Sequence, residues 1–185
     1  MTLRFSSLAG LSMLAACAPL HFMSAQESKV IADSNGNELH AEQETLRVLV
    51  QMNLDAAAIY DEARLAARNV SLRNEIRLLI DRRLRLADTL QEHAKELDGA
   101  SLEGLLPSTD AADRMRSFVE NDSLTAAQQV YRSESVIIEK YERVLSTPLS
   151  GETEALIKKD LLASRASRRR INEIRAEIQA SNDFN

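Results

Sequence analysis

Apolar side chains recur every three or four residues along four long stretches of this chain, a spacing that places them on one face of a helix and leaves little room for any other fold class. In the first stretch, residues 39 to about 69, that face holds Leu39, Leu46, Leu49, Ala56, Tyr60, Ala63 and Ala67, with Asn53 interrupting it. The second opens at Ser71, read as its N-cap, and repeats the spacing at Leu72, Ile76, Leu79, Arg83, Leu86, Leu90 and Leu97. It stops at Asp98-Gly99, where glycine can take the left-handed closing conformation. Arg83 stands where a core residue belongs. The third starts with Asp122 or Ser123 as cap and runs Leu124, Ala127, Tyr131, Glu134, Ile138, Tyr141 and Leu145, broken by the charge of Glu134. After a tight turn at Thr147-Pro148-Leu149-Ser150-Gly151, the fourth covers residues 152 to about 180, with Leu156, Ile157, Leu161, Ala163, Ile171, Ile174 and Ile178 inward. Residues 181–185 are expected to fray.

Composition agrees. Five Gly and three Pro in 185 residues cannot punctuate the turns of a sandwich or barrel. A net charge of -5 does not suit a nonspecific nucleic-acid binder, so no nucleic-acid partner is expected. The single cysteine, Cys17, excludes an intramolecular disulfide and any cysteine-based metal cluster.

Short links after the first and third stretches predict antiparallel helical hairpins that must pack on one another, since a helix with one greasy face has no stable existence alone. Residues 99–123 hold Gly99, Gly104 and Pro107 and read as a connector with one short helix, within residues 110–120 around Met115, Phe118 and Val119. The second helix is roughly 40 Å long at 1.5 Å per residue. The connector can span that length, so a crossover that sets the third helix parallel to the second is feasible; an up-down-up-down order is equally open.

The amino terminus reads as an address. Residues 1–16 carry one cation, Arg4, then an apolar run too short for a membrane span of roughly 20 residues, as in a signal peptide. The run ends Leu14-Ala15-Ala16-Cys17, which resembles the lipobox of bacterial lipoproteins and makes Cys17 the lipid-attachment residue. A second reading is plain secretion with cleavage near Met23-Ser24-Ala25, and a third leaves the segment uncleaved. Residues 17–38 read as a polar tether and residues 39–180 as the bundle. The expected location is the periplasmic side of the envelope, lipid-anchored or, alternatively, secreted to the periplasm.

The run from Leu54 through Asp55, Tyr60 and Ala63, then Leu72, Arg83 and Leu90, then Glu134 and Tyr141, resembles a proteobacterial family of unknown function described as ferritin-like four-helix-bundle proteins. The resemblance covers roughly residues 45 to 178. It implies a ferritin-like bundle and an association with stress tolerance. On the fourth helix the chain departs from that pattern: where the family often has a glutamine and later a histidine, Lys159 or Asp160 and Arg168 stand here.

A di-iron centre of the ferritin-like type needs a Glu from each of two helices and a Glu-x-x-His pair from each of the other two. The three histidines, His21, His40 and His93, follow Ala18, Asn37 and Leu90 at that spacing, so the motif is absent and no cofactor is expected. His93 reads as a surface or boundary histidine. Glu62 and Glu134 are the only candidates for a weaker, carboxylate-only site. The two broken stripes suggest instead that Arg83 and Glu134 meet inside the bundle, the planar guanidinium matching a carboxylate, with Asp55, Tyr60 and Tyr141 as candidates for the same polar layer. The plainer alternative puts both charges at a bundle edge. Arg165, Arg168, Arg169 and Arg170 form a basic run that reads first as a solvated helix face and, beside a lipid anchor, as a surface for phospholipid or lipopolysaccharide phosphates. No nucleophile elbow, phosphate loop or dinucleotide fingerprint occurs. The expected role is therefore a non-catalytic structural or interaction module, able to self-associate; the alternative is a ferritin-like metal-binding or oxidase protein.

Overall fold

Helices α1 (Ala25–Ala66), α2 (Val70–Asp98), α3 (Ser123–Val144) and α4 (Gly151–Asp183) make a four-helix bundle, with no strand among the described residues. The computed structural model describes residues 25–98, 102, 104–108 and 122–183. The chain divides into two units, Met1–Ser34 and Asn35–Asn185. Within the first, the described residues from Ala25 onward are helical; the second holds the bundle. No helix among the described residues is long and apolar enough to cross a membrane.

Three helix ends differ from the sequence reading. α1 begins at Ala25, so residues 25–38, read as a tether, are helical. Ala25, Gln26, Glu27 and Lys29 favour helix, and once a helix is nucleated each poor former in Asp33-Ser34-Asn35-Gly36-Asn37 costs only about 1 kcal/mol or less to include. α2 is capped by Asn69, whose Oδ1 accepts the N–H of Leu72 at 2.9 Å; Ser71 lies inside the first turn. Asparagine caps as well as serine does, and here it stands at the spacing that reaches the third helical N–H. α4 continues through Asp183, past the expected fraying point. At α3 the cap is Asp122, whose carboxylate accepts the N–H groups of Leu124 and Thr125 at 3.2 and 3.1 Å. The expected connector helix around Met115, Phe118 and Val119, the signal segment and Cys17 lie outside the described residues.

The inward seam of each helix, buried except at the partly buried Leu86 and Ser167, alternates steps of three and four, the heptad spacing of knobs-into-holes packing. It runs Leu46, Leu49, Asn53, Ala56, Tyr60, Ala63, Ala67 on α1 and just beyond it, and Leu72, Ile76, Leu79, Arg83, Leu86, Leu90, His93 on α2. It continues as Ser123, Ala127, Val130, Glu134, Ile137, Tyr141, Val144 on α3 and Thr153, Ile157, Asp160, Ser164, Ser167, Ile171, Ile174, Ile178 on α4. Two readings of the inward face shift as a result. Tyr131 and Leu145 flank the α3 seam and are partly buried, because Val130 and Val144 take the inner positions. On α4, Leu156 and Ala163 are likewise partly buried while Asp160 and Ser164 are buried.

Hydrogen bonds tie the ends together. Ser123 Oγ accepts the backbone N–H groups of Arg68 and Asn69 at 2.8 and 2.9 Å, which joins the start of α3 to the link between α1 and α2. Ser150, before α4, donates its hydroxyl to Glu42 of α1 at 2.6 Å and its N–H to the same carboxylate at 3.2 Å. Backbone donors freed where helices stop are thereby satisfied by side chains of neighbouring segments.

Candidate functional site

Apart from Ser123 at the α1–α2 link, the seam positions that are not apolar fall at two levels. The first is central. Arg83, fully buried, sends Nη2 to both oxygens of Glu134 at 2.7 and 2.8 Å and to Ser164 Oγ at 2.9 Å. Its Nη1 donates to Asp160 Oδ2 at 2.8 Å and, at 3.3 Å each, to Asn53 Oδ1 and the hydroxyl of Tyr141. Tyr60 donates its hydroxyl to Glu134 Oε1 at 2.6 Å. Asn53 fixes its own amide by donating to Leu49 O at 2.8 Å and to Tyr141 Oη at 3.2 Å. From the partly exposed edge, Arg82 reaches Ser167 Oγ at 2.6 Å, Glu134 at 3.4 Å and Asp160 at 3.6 Å.

Two guanidinium groups therefore meet two carboxylates, and the layer is electrically balanced. Balance decides its energetics: each buried ion alone would carry several kcal/mol of desolvation cost, which is recovered only when the geometry and the remaining hydrogen bonds are good. Burial pushes the Arg83 guanidinium down, but the charge of Glu134, with a contribution from Asp160, holds it well above the ordinary arginine value. Burial raises both Tyr60 and Tyr141 above the ordinary phenol value, and the charge of Glu134 adds to the rise at Tyr60. The Arg83 guanidinium is thereby held in its ionised form, and the two phenols are held as neutral donors.

Of the residues expected in this layer, Arg83, Glu134, Tyr60 and Tyr141 are brought together. Asp55 is not. It faces the connector, where it accepts the N–H and hydroxyl of Ser108 at 2.6 and 2.9 Å and the amide of Gln51 at 2.8 Å. Gln51 also donates to Leu106 O at 2.8 Å, so α1 holds this part of the connector at two points. Asp55 lies on one wall of an open groove of about 510 Å³ between α1 and α3, alongside Met52, Ile59, Val136 and Ile137. Asp160, Ser164 and Arg82 were not legible as members of the central layer; the seven-residue spacing back from Ile171 to Ser164, and from Ile174 through Ser167 to Asp160, is the signal that finds the α4 pair.

The carboxylate-only metal site is not supported at Glu134, whose oxygens are taken by Arg83, Arg82 and Tyr60, so that a cation there would meet two guanidinium groups. Glu62 is partly buried on α1 and takes no part in this network. The di-iron group that the ferritin-like resemblance implies does not fit these residues either: the convergent side chain at the centre is a cation. On α4 the basic run is partly neutralised within the chain. Arg165 pairs with Glu142 at 2.6 Å and Arg170 with Glu173 at 3.1 Å; Arg175 and Arg168 lie 4.9 and 6.0 Å from the centroid of the Tyr131 ring. Arg169 is exposed.

The second level lies ten residues further along α2, roughly 15 Å from Arg83 at 1.5 Å per residue. His93, expected at the surface or the boundary of the core, is only 5% exposed. Its Nε2 stands 2.7 Å from Thr153 Oγ1, and Thr153 donates its hydroxyl to Glu42 in a very short contact. The heptad explains the burial, since position 93 completes the series 83, 86, 90. Burial pushes the Glu42 carboxyl up, but hydrogen bonds from Ser150 and Thr153 outweigh it and hold the group below the ordinary carboxylate value.

No protein-family model matches the chain, and a search of curated proteins returns no match.

Proposed function

We propose that this chain is a ferritin-like four-helix bundle in which an internal guanidinium occupies the central layer in place of a metal, and that it works as a non-catalytic structural or interaction module held at the periplasmic face of the cell envelope through a lipid on Cys17. The observation that carries the reading is Arg83 lodged between Glu134 and Asp160: one fixed cation shared by carboxylates of two helices fills the place and the charge that a metal would take. No side chain of that layer is left as a free base or an exchangeable ligand, which suits a scaffold better than a catalyst. The ferritin-like connectivity is supported by the end contacts. Ser123 bonds the link between α1 and α2, a contact that supports α2 and α3 departing from one end of the bundle in parallel. The contact of Ser150 with Glu42 is consistent with the same order at the other end. The anchor rests on the Leu14-Ala15-Ala16-Cys17 pattern and the stress association on the family resemblance alone.

The test is intact mass and metal content of the protein purified from its native envelope. A mature chain beginning at Cys17 with added acyl mass, and less than stoichiometric iron and manganese, is expected. An unlipidated chain overturns the anchor; iron or manganese at two atoms per chain overturns the arginine-centred reading.

A further inference from the structure

The structure assigns a divalent-cation site of the zinc class to the second polar level, formed by His93 Nδ1 with the carboxylates of Glu96 and Glu152. One ligand atom from each of these residues lies within 4.8 Å of the other two. His93 and Glu96 are three residues apart on α2 and so share a face, while Glu152 comes from the first turn of α4. Two surface carboxylates would not by themselves make a site. The independent observation is the imidazole: it is 95% withdrawn from solvent, and its Nδ1 is buried without a hydrogen-bond partner, 3.9 Å from Glu152 Oε2.

The surrounding hydrogen bonds fix what that nitrogen can do. Thr153 has one hydroxyl hydrogen, and it goes to Glu42. Thr153 Oγ1 can therefore only accept from His93, which places an imidazole hydrogen on Nε2 and leaves Nδ1 as the unpartnered ring nitrogen beside Glu96 and Glu152. A neutral ring presents the lone pair of that nitrogen to two carboxylates, an arrangement relieved by a cation between them, whether a metal ion or a proton. The chain Glu42, Thr153, His93 is also the outer support that metal-bound histidines ordinarily have, a carboxylate acting through the far ring nitrogen to set tautomer and ring orientation. With ligand bonds of about 2.0–2.2 Å, tetrahedral ligand atoms stand roughly 3.4 Å apart. Both glutamates are exposed, Glu152 with 71% of its side chain in solvent, so their side chains are free to rotate toward that spacing. One imidazole and two carboxylates leave a coordination position to water and favour zinc among first-row ions, with manganese second.

The site is independent of the central layer, roughly 15 Å away along α2, and uses none of its residues. The experiment is calorimetric titration of the untagged, chelator-treated full chain with Zn²⁺, repeated with Co²⁺ while recording its visible absorption. One Zn²⁺ per chain is expected. Changes to outer support alone cost metal sites about 10–100-fold in affinity; Thr153→Val, a positioning change, should fall in that range with the stoichiometry kept. Glu96→Gln with Glu152→Gln removes two ligands and should cost more than about 100-fold, and the same pair should abolish the Zn²⁺-induced rise in Tm. These exposed changes leave the core intact, so they decide the matter even where His93→Gln fails to fold. No Zn²⁺ binding by the unmodified chain, or binding that the glutamine pair leaves unchanged, overturns the assignment. So does a His93 ring-nitrogen NMR signal that Zn²⁺ does not move.

Discussion

Arg83 and Glu134 face one another at 2.7 Å from two different helices, each with no solvent exposure at all. A charge in that position is tolerated only while its partner is present. Removing one member of such a pair costs about 3–5 kcal/mol, whereas replacing all members by apolar groups of similar volume is often neutral or better. Glu134→Gln and Arg83→Met should therefore each lower unfolding stability by about that amount. Arg83→Met combined with Glu134→Leu and Asp160→Leu should recover at least half of the loss. Urea unfolding of the four proteins checks this, and additive losses in the triple variant would contradict a mutually compensated layer.

The phenols of the same layer govern the alkaline limb. Burial, with the charge of Glu134 at Tyr60, raises Tyr60 and Tyr141 above the ordinary value of 10.0, so in the folded chain both keep their protons where the unfolded chain has released them. The folded state then binds more protons, and stability, fully present below pH 10, falls as pH rises beyond it. Tyr60→Phe loses a hydrogen bond to a carboxylate, about 1.5–3 kcal/mol near neutrality, and should flatten the alkaline fall. Absorbance titration of phenolate against urea midpoints measured from pH 9 to 11 tests both parts.

The fold was legible because periodicity is a property of the chain: Leu72, Ile76, Leu79 and Leu90 announce a helix face whatever they pack against. The Arg83–Glu134 contact was legible for the opposite reason, as two charges interrupting otherwise apolar seams. Asp160 and Ser164 were hidden because a search for apolar residues steps sideways to Leu161 and Ala163, one position off the true seam. His93 was placed at the surface or boundary for a related reason: a polar residue at a heptad position looks like the edge of the stripe until its partners Thr153 and Glu42, distant in sequence, are seen. The start of α1 was missed because local turn propensity does not reveal that the helix has already been nucleated upstream.

At the start of α3, Asp122 combines a cap with a charge, and the two effects separate on substitution. Burial pushes its carboxyl up, but the N–H groups of Thr125 and Leu124 outweigh that and hold it below the ordinary value of 3.8. Its contribution is present above the unfolded value and lost as pH falls through the lowered one. Asp122→Ala should cost about 1 kcal/mol near neutral pH, while Asp122→Asn, an equally good cap, should cost only a few tenths. The asparagine variant should also lose less stability than the natural chain on acidification to about pH 3. Urea midpoints at the two pH values distinguish the outcomes; equal losses for both variants would mean that charge, and not capping, dominates.

Asp55 offers a test of how the connector is held. It accepts both the N–H and the hydroxyl of Ser108, and Gln51 bridges it to the neighbouring Leu106 carbonyl. These bonds involve a carboxylate but lie at the bundle surface, so their loss should open residues 102–108 locally and leave the four seams closed. Losing about 1–1.5 kcal/mol of local stability multiplies the open population roughly five- to twelvefold. When reclosing outpaces cleavage, the rate of proteolysis follows that population. Asp55→Ala should therefore be nicked by chymotrypsin at Leu105 about five to ten times faster than the natural chain, with a urea midpoint close to unchanged. Asp55→Asn keeps an acceptor for the Ser108 N–H and should fall between the two. Should all three be cut at one rate, the connector is fixed by contacts other than Asp55; should the alanine variant instead unfold globally at lower urea, the connector is part of the bundle's cooperative unit.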